Sequence, residues 1–168
     1  MPSAIKPAAD QEAIASDLGN KFRNENIKSK HETFPFLFLH TDKESLAQIQ
    51  DIWLKACHSN CASTSTDFSK NVTFLGEMKK KGGDTFVPNL VAADPLVWTE
   101  RAGYMKAPYP NNWIVLIALE RLDLQNGLPV LEGCSKLECG EYAILSGDED
   151  MRLGDKGGGL AFLMRLEK

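Results

Sequence analysis

The spacing of apolar residues changes along this chain from a helical period to an extended one. Ile14, Leu18 and Phe22 recur every four residues, which predicts an amphipathic helix from about Asp10 to Arg23. A loose segment rich in proline and alanine precedes this helix, and a polar connector follows it. The first regular element is therefore expected to be a helix with one apolar stripe.

A second helix is predicted from Thr41 to about His58. Thr41 and Glu44 form a capping-box pattern, in which the threonine accepts a hydrogen bond from the first turn and the glutamate reaches back to the cap. Leu46 and Ile49 then continue at helical spacing. The pattern places the start of this helix at a threonine cap.

The segment His40-Thr41-Asp42 also has the form of a His-x-Asp metal-binding pair. A metal site would need a second histidine on another element, but His58 lies at the far end of the same predicted helix, on the order of 24 Å away. His40 is therefore interpreted as the last residue of a strand over Thr33–His40, and Asp42 as part of the helix cap.

Short strands dominate the rest of the pattern. Phe36–Leu39 is apolar without alternation, which indicates a strand that is buried on both faces or lies at an interface. Later apolar segments, separated by glycine, proline or asparagine, predict strands over 71–77, 85–91, 113–120, 129–132, 141–146 and 160–166. Asn126-Gly127 predicts a type I′ turn with positive φ at both residues. Two helices followed by strands indicate an α+β domain whose β part is a double-sheet jelly roll.

Length and charge narrow the class of protein. A chain of 168 residues is expected to form a single domain, with a helical segment over 1–30 and the jelly roll over 31–168. The formal net charge of -4 argues against nucleic acid or an anionic membrane as a partner. The longest apolar runs, Phe34–Leu39 and Trp113–Leu119, are too short to span a bilayer, and the first residues do not resemble a signal peptide. These features predict a cytoplasmic protein.

The segment from Trp113 to Lys136 carries a family resemblance. It contains an apolar strand, an Asn-Gly turn, a short apolar strand and then Gly133-Cys134-Ser135-Lys136. This order resembles the central hairpin of the phytanoyl-CoA dioxygenase-like family of non-haem iron, 2-oxoglutarate-dependent oxygenases, which includes fungal enzymes and typically ends this hairpin with Gly-Ser-His-Lys. The resemblance covers residues 70–168. It implies a cupin-like jelly roll, also called a double-stranded β-helix, that is shorter than in complete members of the family.

The resemblance breaks where the family binds iron. Such a site needs two histidines and one carboxylate on one face of the metal. The histidines of this chain are His31, His40 and His58, and all three precede the hairpin. The resemblance therefore implies a degenerate member that lacks the iron-binding histidines.

The family's ligand positions correspond to three residues that we call vestigial. The His-x-Asp/Glu pair would fall near Trp98-Thr99-Glu100, with tryptophan in place of histidine, and the second histidine would fall near Met151. Trp98 is interpreted as a side chain that fills the old metal cavity, with substrate stacking as the alternative. Glu100 is interpreted as a surface residue, with a role as acid or base in a metal-free reaction as the alternative.

The co-substrate site also lacks its expected cation. The arginine that binds 2-oxoglutarate in the family would lie near residues 157–160, where only Lys156 is close. Arg165 or Arg152 is the alternative source of this cation, although neither occupies the matching position. Neither iron nor 2-oxoglutarate is therefore expected to bind this chain, and both are expected in a partner chain.

Three further sequence features could take part in catalysis or ligand binding. Asp148-Glu149-Asp150 could meet a hard cation, but an acidic run of this kind is usually a solvated loop. Cys134 is a nucleophile only if a base activates it. Gly154–Gly159 superficially resembles a phosphate loop and is interpreted as a flexible hairpin loop.

Three functional hypotheses follow from these observations. The first is a non-catalytic pseudo-oxygenase subunit that pairs, as a heterodimer, with a catalytically intact oxygenase of the same family and supports it, in the biosynthesis of terpenoid-type secondary metabolites. The second is a metal-free isomerase or cyclase that reuses the old pocket with Glu100 as acid or base. The third is a small-molecule binding protein.

Overall fold

A computed structural model of the chain describes residues 9–24, 29–33, 36–60, 90–100, 102–131 and 134–168, with the backbone alone for residues 9–10, 29–33, 50 and 53–60. The elements, in chain order, are α1 (Ala9–Asn24), β1 (Ser29–Thr33), β2 (Phe36–Leu39), α2 (Lys43–Asn60), β3 (Leu90–Trp98), β4 (Gly103–Met105), β5 (Asn112–Ala118), β6 (Leu122–Asp123), β7 (Lys136–Leu137), β8 (Tyr142–Ser146), β9 (Met151–Leu153) and β10 (Leu160–Glu167). The predicted strand over 71–77 lies outside the described residues. Within them, no helix is long and apolar enough to cross a bilayer.

The described strands form one large sheet and two small ones. The large sheet has the order β1-β2-β3-β10-β5-β8, and β4-β9 and β6-β7 form the two-stranded sheets. Every neighbouring pair in these sheets is antiparallel. The described part of the chain is therefore mixed α+β, with two helices and antiparallel sheets, and its strands do not close into a barrel.

The large sheet is buried on both faces. The core on its helix-covered face comprises Ala15, Leu18, Phe22, Leu39, Ile49, Ile52, Val115, Ile117, Leu119, Tyr142, Ile144, Leu160, Phe162, Met164 and Leu166. The core between the large sheet and the small sheets, called here the inter-sheet core, comprises Phe36, Phe38, Leu96, Trp98, Ile114, Leu116, Ala118, Leu122, Leu128, Cys134, Leu137, Ala143, Met151, Leu153, Ala161 and Leu163. Successive residues of a strand point to opposite faces, so strands between two cores need apolar residues at every position. The prediction that Phe36–Leu39 is buried on both faces is confirmed.

Helix α1 packs closely against the end of β5. Gly19 lies in the middle of this helix, and a Cβ atom added there would come within 2.2 Å of the Leu119 carbonyl oxygen. Arg23, in the last turn of α1, donates to both carboxylate oxygens of Glu120, at 3.1 and 2.5 Å. Glu120 in turn accepts from the Leu160 amide at 2.9 Å. This short chain of hydrogen bonds fixes the helix to the start of β10.

Two predicted strands have different boundaries in the structure. The segment predicted as one strand, Thr33–His40, contains the last residue of β1 and all of β2, and Thr33 pairs with Phe36. Strand β3 continues to Trp98, well beyond the predicted end at residue 91. Pro95 lies inside β3 opposite Phe162, although proline has no amide hydrogen to donate to a ladder.

The start of α2 differs from the predicted threonine cap. The helix begins at Lys43, and the Asp42 carboxylate accepts from the Ser45 amide at 2.7 Å and from the Ser45 hydroxyl at 3.1 Å. Thr41 Oγ1 donates instead to the Asp42 carbonyl at 3.3 Å. The capping-box prediction for Thr41 and Glu44 is therefore wrong, because the aspartate side chain reaches the first-turn amide. The interpretation of Asp42 as part of the cap is confirmed.

The Asn126-Gly127 turn is also different from its prediction. Of the two residues, Gly127 has a positive φ, 117°, and Asn126 does not. The Asn126 side chain instead accepts from the Asp123 amide and donates to the Arg121 carbonyl, both at 2.8 Å. The type I′ prediction is wrong because this side chain organises a wider loop between β6 and β7.

Candidate functional site

Trp98 occupies the inter-sheet core at the end of β3. Its side chain is buried, and its ring meets the ring of Phe36 edge to face, with centroids 4.8 Å apart. A Cβ atom added to Gly127 would lie 2.3 Å from Trp98 Cβ and 2.5 Å from Trp98 Cγ. The indole Nε1 is buried and has no hydrogen-bond partner. Trp98 is thus enclosed by apolar contacts, as expected for a side chain that fills the space between two sheets.

The backbone of Trp98 is fixed by the glycine-rich segment before β10. The Trp98 amide donates to the Gly159 carbonyl at 3.0 Å, and the Gly158 amide donates to the Trp98 carbonyl at 2.8 Å. The Gly159 amide donates to the Asn126 carbonyl at 2.7 Å. The last residues of Gly154–Gly159, interpreted from the sequence as a hairpin loop, are thus hydrogen-bonded both to Trp98 and to Asn126.

The structure brings two of the three vestigial positions into one cluster. Met151, in β9 opposite Met105, is buried and belongs to the same inter-sheet core as Trp98. Glu100, two residues after Trp98, is exposed. The carboxylate therefore lies outside the space that Trp98 and Met151 fill.

Polar side chains are rare in the interior of the described chain. The buried polar side chains among the described residues are Gln11 and Ser45, and both belong to helices. In the same part of the chain, no group of three histidine, cysteine, aspartate or glutamate residues lies close enough to hold a metal ion. The inter-sheet core accordingly offers apolar side chains and the thiol of Cys134.

Lys156, Arg165 and Arg152, the three cations considered for binding 2-oxoglutarate, lie in different surroundings. Lys156 Nζ donates to Gln125 Oε1 at 2.8 Å on the surface. The Arg165 guanidinium lies 4.7 Å from the ring centroid of Tyr109. Arg152 is exposed, because it alternates with two buried residues of β9. The structure does not bring these cations together.

The acidic run after β8 fixes the backbone of neighbouring loops. Asp148 accepts from the Asn111 amide at 2.7 Å and forms an ion pair with Lys168, whose hydrogen bond lowers the pKa of that carboxyl. Asp150 accepts from the Ala107 amide at 3.1 Å. Ala107 and Asn111 both have positive φ, 38° and 61°. These carboxylates stabilise strained loop residues rather than converging on a cation position.

Both described cysteines donate hydrogen bonds to backbone carbonyls. Cys134 is buried and its Sγ donates to the Lys136 carbonyl at 3.3 Å. Burial raises the pKa of the Cys139 thiol to about 11, with further contributions from Glu12 and Glu120. Since the thiolate is the nucleophilic form, Cys139 is a poor nucleophile near neutral pH.

In the His40-Thr41-Asp42 segment, the Asp42 carboxylate has a structural role. Lys21 Nζ donates to Asp42 Oδ2 at 2.6 Å, and this hydrogen bond, with that from the Ser45 amide, lowers the pKa of Asp42 well below its usual range. His40 is exposed. The side chains of His31 and His58 lie outside the described residues.

Sequence reasoning missed the partners that enclose Trp98. Phe36 was assigned to a buried strand without any sign that its ring meets Trp98, since pairing between strands distant in sequence leaves no local pattern. The glycine at position 127 indicates a turn in the sequence, but it does not indicate that Trp98 packs closely against its backbone.

Comparison with protein-family models, curated protein sequences and solved structures finds no match for this chain. The resemblance to phytanoyl-CoA dioxygenase-like oxygenases therefore rests on the Trp113–Lys136 motif.

Proposed function

We propose that this chain is a non-catalytic pseudo-oxygenase subunit, which pairs with and supports an intact Fe(II)- and 2-oxoglutarate-dependent oxygenase of the phytanoyl-CoA dioxygenase-like family. The pathway would be the biosynthesis of a terpenoid-type secondary metabolite. The observation that carries the proposal is the inter-sheet core, where Trp98 and Met151 occupy vestigial ligand positions within an apolar cluster.

The strand order supports a jelly roll. Eight consecutive strands run from β3 to β10; β3, β5, β8 and β10 belong to the large sheet, and β4, β6, β7 and β9 to the small sheets. A jelly roll places eight strands in two facing sheets through two Greek keys. The alternation of successive strands between the large sheet and the small sheets, with an apolar core between them, is what supports this proposal.

The chemistry of the core supports the loss of the iron site. A facial triad needs two imidazoles and one carboxylate with open positions beside them. Trp98 and Phe36 instead pack edge to face, and Glu100 faces solvent. An unpaired ionised group in such surroundings would be strongly unfavourable. The apolar side chains of the inter-sheet core stabilise the fold but offer no metal ligands. In the proposed complex, the chain would therefore act through its surface.

The metal-free alternative requires Glu100 to act in a pocket. An acid or base in a cavity should be partly desolvated and close to the reacting group. Glu100 is exposed, so the geometry favours the subunit proposal over this alternative.

Co-expression with an intact oxygenase of the family tests the proposal. The two chains should elute together as a heterodimer, and Fe(II) and 2-oxoglutarate should bind in the partner. Oxygenase activity should disappear when the partner's iron ligands are substituted and should be unchanged by Glu100→Ala in this chain. A chain that turns over substrate by itself and loses that activity in Glu100→Ala would support the metal-free enzyme instead.

A further inference from the structure

Three of the four exposed large apolar side chains in the described part of the chain lie in a small-sheet strand or in the loop after β6. The large hydrophobic residues exposed in the described part of the chain are Tyr104, Val130, Leu124 and Val91, with 61, 50, 40 and 53% of their surface accessible. Tyr104 and Val130 are backbone neighbours of Arg152, and Leu124 lines a depression together with Val130. We call Tyr104, Leu124, Val130 and Arg152 the outer band. Val91 lies apart from it, at the start of β3.

The outer band is continuous across the strands. Tyr104 lies directly opposite Arg152 in the β4–β9 pair, and the Val130 amide donates to the Arg152 carbonyl at 2.9 Å. Val130 and Leu124 together line a depression of about 240 Å³, with Leu131, Cys134 and Ser135 as its other walls. Because Met151 and Leu153 are buried, Arg152 between them points outward with Tyr104.

The phenol of Tyr104 is held in place although it is exposed. Its hydroxyl donates to the Asp150 carboxylate, which also accepts from the Ala107 amide at 3.1 Å. A large aromatic side chain that is already ordered loses little conformational entropy when a partner covers it. Tyrosine and arginine are also the residues most often found at the centres of protein interfaces.

The charges beside Tyr104 are complementary to each other. Arg152 lies across the strand pair from Tyr104, and Asp150 accepts its hydroxyl. Neither Arg152 nor Asp150 has an ion-pair partner within 4 Å among the described residues. The charge of Lys106 also acts on Asp150. A surface that carries a cation and a carboxylate beside an exposed aromatic ring, neither of them in an ion pair within 4 Å in the described part of the chain, can pair with a second copy of itself about a twofold axis, since each charge meets its opposite.

We propose that the outer band is a self-association surface whose occupant is a second copy of this chain. Arg152 of each copy faces Asp150 of the other, the two Tyr104 rings lie near the twofold axis, and Val130 and Leu124 extend the apolar contact. This inference does not depend on the existence of an oxygenase partner.

The size of the band predicts a weak dimer. Three partly exposed side chains and one arginine cover less than the roughly 800 Å² per partner of a standard stable interface. We therefore expect a dimer with a Kd above about 10 μM, which forms reversibly as concentration rises.

Sedimentation equilibrium of the full chain tests the proposal, from a few micromolar to about 500 μM. Arg152→Glu and Asp150→Lys should each weaken self-association at least about tenfold, because each places like charges opposite one another. An equimolar mixture of the two variants should dimerise like the wild type, since the reversed charges meet again. A wild-type chain that stays monomeric throughout, or a mixture that stays monomeric although both variants are folded, would contradict the proposal.

A second pair of variants covers the case in which Asp150→Lys does not fold after losing its loop contacts. Val130→Asp places a charge inside the outer band, and Val91→Asp places the same charge on an equally exposed valine outside it. Val130→Asp should reduce dimerisation and Val91→Asp should leave it unchanged. Equal behaviour of the two variants would overturn the assignment of the surface.

Discussion

The indole of Trp98 fills the space between the large sheet and the small sheets, against Phe36 and Gly127. Its buried Nε1 has no hydrogen-bond partner, and a donor left unpaired in this way costs about 1–3 kcal/mol. The ring is thus stabilised by its packing and not by its polar atom. At the scale of single residues, Trp98 is a packing side chain of the inter-sheet core.

Substitutions at Trp98 separate packing from hydrogen bonding. Trp98→Ala should lower the free energy of unfolding by roughly 3–5 kcal/mol, because it leaves a large cavity. Trp98→Phe should lower it by much less, since it keeps a ring and removes the unpaired donor. Urea denaturation measures both changes. Free indole should raise the melting temperature of Trp98→Ala and not that of the wild type, and equal losses in the two variants would refute the packing account.

Gly127 is expected to be intolerant of any side chain. A methyl group there meets Trp98 at 2.3 Å while φ is 117°, so Gly127→Ala should destabilise the fold by roughly 2–4 kcal/mol. The matched control is Gly154→Ala, where the nearest atom, the Leu124 carbonyl oxygen, would be 3.5 Å away. Thermal denaturation should show a large change for the first variant and little for the second; similar melting temperatures would argue against close packing at Trp98.

At the scale of elements, the cap of α2 links the two helices. Lys21 in α1 and Ser45 in α2 both donate to Asp42. Asp42→Ala should therefore lower the melting temperature by a few degrees at pH 7, whereas Thr41→Ala should have little effect. The outcome that contradicts this assignment is a larger loss in Thr41→Ala than in Asp42→Ala.

The pH dependence of the Asp42 contribution has a definite sign. The hydrogen bond from Lys21 lowers the folded-state pKa of Asp42 well below the ordinary value of an aspartate. A lowered carboxyl pKa stabilises the fold above the unfolded-state pKa, and this stabilisation is lost as the pH falls toward the folded-state pKa. The difference in melting temperature between wild type and Asp42→Ala should therefore be constant near neutral pH and shrink below about pH 4.

Elements with a strong local signal were predictable, and those defined by distant pairing were not. Helix α1 and strands β5, β8 and β10 follow from periodicity and apolar runs, and the structure places them within a few residues of their predicted positions. Strands β4 and β9 have three residues each, which is too short for a period to be read. The extension of β3 through Pro95 depends on tertiary pairing that overrides a local breaker.

At the scale of the whole molecule, the candidate site was predictable in part. The interior position of Trp98 agrees with its interpretation as a filling side chain, and Met151 lies in the same core. The hydrogen bonds from the glycine segment to Trp98 could not be predicted, because they join residues about 60 positions apart in the chain. Sequence patterns identify which residue types are missing, whereas the packing that replaces them depends on the folded sheet.

The most direct test of the pseudo-oxygenase account is iron binding by the purified chain. The protein would be incubated anaerobically with Fe(II) and 2-oxoglutarate, freed of unbound metal and assayed for iron by mass spectrometry, with an intact oxygenase of the family as a positive control. The account predicts far less than one iron per chain, because the space between the sheets is filled by Trp98 and its apolar neighbours. About one iron per chain bound with submicromolar affinity would contradict it.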